Sequence, residues 1–263
     1  MFSVADRDRV RDRVLVMAYA DSRVVAGAVV GSLALQEERA GDRWSDLDLT
    51  FAVVDSVPVL DVLDDWTRTI GAEFDAIQLF DLPAGTSLYR VFLLPGCLQF
   101  DLSFTPASSF GAIGPKFRLL FGEAVEKPHV TPPPAQELFG YAVHHALRAR
   151  FCIERGRVWQ AEYWLGDLRN CALHLACLRR GLVARQGRGF DDLPGDVHDA
   201  FHDSLARSLE PAELQRALSI AVAGLLREAS QIETEQVAQI AAKVAPRLRE
   251  LTHEWQRSST REA

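Results

Sequence analysis

"GSLALQEERAGDRWSDLDLTF", Gly31 to Phe51, closes on two aspartates, Asp46 and Asp48, one residue apart in a run that otherwise reads as a core strand. Aspartate is a poor strand former, and its charge is costly to bury without a partner. Residues two apart on a strand share a face, so both carboxylates point one way while Leu47 and Leu49 point the other. Two anions at that separation repel unless one is protonated or a cation lies between them. An all-oxygen pair favours a hard divalent cation, magnesium or manganese.

Working outward, "VVAGAVVG" at 24–31 is an apolar, β-branched run closing on glycine, which reads as a buried strand. Before it, Val10, Val14, Leu15 and Ala18 recur at helical spacing over 5–20. After it come a strand through "LDLTFAVV", a helix over 58–71, and strands around "AIQLF", "YRVFLL" and "LQFDLSF". Strands interleaved with helices predict an α/β-type layer within an α+β chain. The stretch "KPHVTPPPA", 127–135, carries four prolines and suits neither a helix nor a central strand. It sets the expected boundary between a first domain at 1–126 and an all-α second domain at 136–263. Helices are expected there over 136–156, 159–181, 195–208, 211–229 and 234–257. Pro211 suits a first helical turn, whereas Pro246 should kink or break the last helix.

The 263 residues, 48% of them hydrophobic, suffice for one large core or two modest ones. No apolar run reaches the roughly 18 residues that span a bilayer, and "MFSVADRDRVRDRV" is too charged for a secretory signal, so a cytoplasmic protein is expected. Cys97, Cys152, Cys171 and Cys177 form no CxxC pair and read as reduced thiols. A net charge of −7 argues against a sequence-independent grip on nucleic acid and suits a small, cationic or nucleotide-like substrate.

Upstream of the acids, Gly31 allows close approach to the backbone and Ser32 supplies a hydroxyl. A helix beginning at "LALQEE" would present free N–H groups to a phosphate. Strand, Gly-Ser, short helix, Ser-Asp-x-Asp and a later strand bearing a third acid together resemble the nucleotidyltransferase superfamily. The third acid is Asp101, where Gln99, Asp101 and Ser103 alternate with Phe100, Leu102 and Phe104. The resemblance implies a mixed sheet flanked by helices and a helical bundle behind it. It implies that Gly31 and Ser32 bind the phosphates of ATP, and that Asp46, Asp48 and Asp101 hold two Mg²⁺ ions. It further implies in-line transfer of AMP to an acceptor hydroxyl with release of pyrophosphate. Many small members carry Ala-Arg-Gly after the Gly-Ser; this chain reads Leu33, Ala34, Leu35, Gln36, so Arg39 or Arg43 is assigned to the phosphate.

The segment "GRVWQAEYWLGDLRNCALHLACLRRG", 156–181, resembles more loosely the helical half of bacterial aminoglycoside and lincosamide adenylyltransferases. Trp159, Tyr163, Asp167, Asn170 and His174 form one stripe, and Trp164, Leu168, Cys171 and Leu175 a second, apolar one. Rings and carboxylates can hold a sugar or amine, so Glu162, Tyr163 and Asp167 are candidate acceptor contacts, with Glu123 after "FRLLFG" a further one. The expected partners are a nucleoside triphosphate and a small-molecule acceptor, with neither nucleic acid nor membrane. Some antibiotic-modifying relatives complete the site with a second subunit, so a homodimer belongs among the expectations. The alternatives are an antitoxin or regulatory binding protein of the same fold, and a protein-modifying adenylyltransferase. His198 and His202 also stand at i, i+4, the spacing of a metal-binding helix in a phosphohydrolase.

Overall fold

The computed structural model describes residues 1–34, 42–232 and 235–258, with backbone alone at 235–236 and 253–258. It divides into two compact units, Met1–Thr131 and Pro132–Ala263. The first holds helices α1 (Val4–Ala20) and α2 (Val59–Phe74). Its six strands are β1 (Val24–Val30), β2 (Leu47–Val53), β3 (Ile77–Ala84), β4 (Ser87–Leu94), β5 (Leu98–Pro106) and β6 (Phe117–Phe121). They lie in the order β3-β4-β5-β2-β1-β6, and only β2 and β5 pair in parallel. The fold is thus α+β with a mixed sheet.

Leu47, Leu49, Phe51 and Val53 of β2 join Leu98, Phe100, Leu102 and Phe104 of β5 on one face. There they meet Val10, Val14 and Ala18 of α1 and Val62, Leu63, Trp66 and Ile70 of α2. Each Val, Leu, Ile or Phe among them contributes about 1.5–3 kcal/mol on full burial. A one-residue slip of β2 would exchange these leucines for Asp48 and Thr50, so apolar burial fixes the register that the acids inherit. On the opposite face Asp48 stands beside Asp101, and Thr50 beside Ser103, whose hydroxyl donates to Thr50 Oγ1 at 2.8 Å. Lower on that face Phe110 and Phe117 close over Ala26, Ala28 and Ala52.

Where β1 begins, Asp21 accepts from Arg23 Nε (2.9 Å), Arg23 Nη2 (2.8 Å) and Trp66 Nε1 (2.9 Å). These bonds, Arg23 foremost, hold its carboxyl down at about 2. The folded value lies below the unfolded one near 4, so the stabilisation is complete above about pH 4 and is lost as pH falls towards 2. Unfolding of the first unit, followed by tryptophan fluorescence, should become easier across that window. Asp21→Asn should flatten the dependence there.

The second unit is helical: α3 (Ala135–Glu154), α4 (Val158–Arg179), α5 (Gly195–His202), α6 (Pro211–Ala229) and α7 (Glu235–Ser258). Small residues at the core positions, Ala142, Ala146 and Ala149 of α3 with Ala161 and Ala172 of α4, let these helices pack closely. Glu228 of α6 is 1% exposed and accepts from Arg179 Nη2 at 3.1 Å and Arg180 Nη1 at 3.5 Å. No helix among the described residues is long and apolar enough to cross a membrane.

Three expectations are corrected. Asp46 precedes β2, which begins at Leu47. Strand β6 was not foreseen: its apolar residues fall on both parities, and a register shift between Gly27 and Ala28 breaks the alternation. The helix expected over 195–208 stops at His202. Helix α7 runs through Pro246 without the break that was one of the two outcomes expected; Pro246 is exposed, so the carbonyl its missing N–H leaves unpaired can turn to water.

Candidate active site

Asp46, Asp48 and Asp101, each half-buried, bring one carboxylate oxygen apiece within 4.8 Å of one another. Among the described residues this is the one group of three or more acids, histidines or cysteines placed to share a metal ion. Magnesium and manganese take oxygen ligands at about 2.0–2.1 Å, so ligands on one ion stand roughly 3–4 Å apart, and the trio fits with slight closing. Burial pushes the Asp101 carboxyl above its usual range, and Asp46 adds to the rise. The hydrogen bond from Gln99 Nε2 at 2.9 Å opposes it. A bound cation would reverse both upward influences.

The Gly31–Ala34 segment is a tight 3-10 turn. Gly31 takes φ +71°, and a Cβ there would lie 2.2 Å from Asp48 Oδ2. Its N–H donates to the Lys116 carbonyl at 3.2 Å. The space that the glycine leaves is therefore filled by an acid of the trio, and its amide donates to the Lys116 carbonyl. Ser32 follows, half-buried, within the same turn. Gly31→Ala should cost about 1–2 kcal/mol for the left-handed backbone. The atom in the way is a carboxylate oxygen of Asp48, which the added methyl would push from its place. We expect Mn²⁺ affinity, measured by calorimetry, to fall about 10-fold or more through that displaced ligand.

Of the two arginines assigned to phosphate, Arg39 lies outside the described residues. Arg43 sits on the turn before Asp46 with its guanidinium 4.1 Å from the Trp44 ring centroid. The unforeseen strand β6 and the residue before it bring two other residues to the Gly-Ser turn, Lys116 by its backbone carbonyl. Lys116 is the residue that Gly31 N–H reaches, and Arg118 Nη2 donates to Leu33 O at 3.4 Å. Neither stands out in sequence, since only the pairing of β6 with β1 brings them there.

Glu123 lies at the far end of the β1–β6 pair. Strand β6 runs antiparallel to β1, and Gly122 abuts Val25 and Ala26. Five residues of strand, roughly 17 Å, therefore separate Glu123 from the Gly31 end of β1.

In the second unit Glu162, Tyr163 and Asp167 lie on α4. Tyr163 is exposed and meets the Trp164 ring edge-on at 5.1 Å. Asp167 acts on His145, whose ring also lies 5.3 Å from Trp164 and stacks with Tyr141 at 6.2 Å. Burial lowers the His145 pKa against the pull of Asp167. Glu162 Oε2 is buried with no hydrogen-bond partner, and burial raises its carboxyl while Arg169 opposes. The α3 half of this patch, Tyr141 and His145, was missed because one-helix periodicity cannot show what a neighbouring helix contributes. His198 Nε2 meets Phe190 O at 2.8 Å and His202 faces Asp203 at 3.4 Å, so each has a local structural partner.

No family model and no curated protein matches the chain. Among solved structures, an aminoglycoside 6-adenyltransferase from Bacillus subtilis is similar at 15% identity and a TM-score of 0.38, over 90% of this chain and 96% of that one. That likeness is too loose to assign a fold family.

Proposed function

We propose that the protein is a divalent-metal-dependent nucleotidyltransferase that moves AMP from ATP to a hydroxyl of a small acceptor of the aminoglycoside or lincosamide kind. The observation that carries this reading is the parallel register setting Asp48 beside Asp101, with Asp46 completing the trio. Asp46, Asp48 and Asp101 would hold magnesium, which would supply positive charge to offset that of the phosphates in the transition state. Asp101 takes the acceptor hydroxyl proton as that oxygen bonds to the α-phosphorus and pyrophosphate departs. Ser32, Arg43, Lys116 and Arg118 supply donors and positive charge to the triphosphate.

Acceptor recognition falls to α4, where Glu162, Tyr163 and Asp167 offer carboxylates and a ring to an amino sugar. The working compartment is the cytoplasm. Incubation with labelled ATP and Mg²⁺, alone, with an antibiotic panel and with cell extract, tests the reading. A labelled antibiotic supports it. A labelled protein replaces it with a protein-modifying adenylyltransferase, and nucleotide binding without any transfer replaces it with a regulatory binding protein.

A further inference from the structure

Arg7 of α1 is 3% exposed, yet its guanidinium meets no carboxylate among the described residues. Nη1 donates to two carbonyls, Asp42 O at 2.7 Å and Ser45 O at 2.9 Å, and Nε is buried with no partner. A buried cation held by neutral oxygens alone is costly, and one orphaned N–H adds to the cost. A packed aliphatic residue would serve the core better. What the guanidinium does is local: the Ser45 carbonyl belongs to the peptide bond whose nitrogen is that of Asp46. Arg7 thus holds both ends of the turn Asp42–Ser45 and the peptide plane from which Asp46 departs.

That turn has its own closure. Asp42 Oδ1 accepts from Trp44 N (2.9 Å) and Ser45 Oγ (3.2 Å), and Ser45 N donates to Asp42 O at 3.2 Å. The helix that delivers Arg7 is itself anchored beside the other strand of the site. Phe2 N donates to Gly96 O at 2.8 Å, and a Cβ at Gly96 would lie 2.6 Å from Phe2 N, two residues before β5 begins. The chain from Phe2 to Arg7 therefore spans the entries of β2 and β5, the strands that bring Asp48 and Asp101 together. The Ser3–Asp6 capping box keeps that first helical turn intact.

We infer that Arg7 is a positioning residue: through the Asp42–Ser45 turn it fixes Asp46 against Asp48 and Asp101 and so sets the affinity of the acid trio for its divalent cation. The inference rests on the metal-binding reading of that trio. Its test uses Mn²⁺ alone as the probe, with binding to the full chain measured by paramagnetic resonance. Wild type should bind saturably, Arg7→Met about 10-fold or more weakly, and Arg7→Lys between the two, as for other groups that orient a ligand without touching the metal. Arg90→Met is the control, since it removes another buried guanidinium of the same unit, one paired with Asp81 and Asp64. It should lower stability and leave Mn²⁺ affinity unchanged. Asp42→Ala loosens the turn at an exposed position and should also weaken Mn²⁺; it decides the matter if Arg7→Met does not fold. Saturable wild-type binding with unchanged affinity in the folded variants overturns the role of Arg7 alone. No saturable binding to wild type overturns the metal reading and this inference with it.

Discussion

Asp48→Asn is expected to lower nucleotidyl transfer about 10³-fold, the upper end of what removing one electrostatic contact to a transition state costs. Asparagine keeps the shape of the side chain and its place beside Gly31, but it replaces an anionic oxygen ligand with a neutral one. The substitution is isosteric, so the metal-free protein should keep its fold. Two measurements separate ligand loss from misfolding: turnover of labelled ATP with acceptor, and the rise in Tm on adding Mg²⁺. Both should collapse while the metal-free Tm holds. Wild-type turnover in this variant would remove Asp48 from the metal site.

The largest stability effect is expected in the second unit. Glu228 is fully buried, its Oε1 has no hydrogen-bond partner, and its compensation comes from Arg179 at 3.1 Å and Arg180 at 3.5 Å. Arg179→Met removes the shorter contact and leaves a buried carboxylate poorly matched. The cost should be about 3 kcal/mol, the lower end for breaking a buried pair, because Arg180 stays. Adding Glu228→Leu in the same chain should recover most of it, since an apolar side chain needs no counter-charge. Denaturant unfolding of the single and double variants reads both values. A single variant with wild-type stability would mean that Arg180 and the surrounding dipoles already suffice.

The two acid-bearing strands were legible in the sequence for a simple reason. In β2 and β5 a period of two separates Leu47, Leu49, Phe100 and Leu102 from Asp48 and Asp101, and that alternation carries both the core and the acids. What it could not carry was anything set by pairing between distant segments. Strand β6 has no clean alternation, so the placement of Lys116 beside Gly31 stayed hidden, and so did the position of Glu123 at the other end of β1. Gly31 was read for its backbone freedom, correctly in φ, but the neighbour that requires glycine is the carboxylate of Asp48. Arg7 passed as one charge among many on a charged helix, because burial of a single position is invisible without the turn that covers it. In the helical unit, the α4 stripe was readable, whereas the α3 rings that meet it were not.

The parallel pairing of β2 with β5 also bears on how the chain folds. Asp48 and Asp101 become neighbours only after α2, β3 and β4 have been laid down between them, so the site rests on a non-local contact of the kind that forms slowly. A divalent ion that binds only the closed sheet stabilises the native state alone, by about 2.7 kcal/mol at a hundred times its Kd. On the proposed function, the ion that would serve the chemistry would thereby also fasten the central sheet, and metal availability during synthesis would bear on how much of the chain reaches its native form.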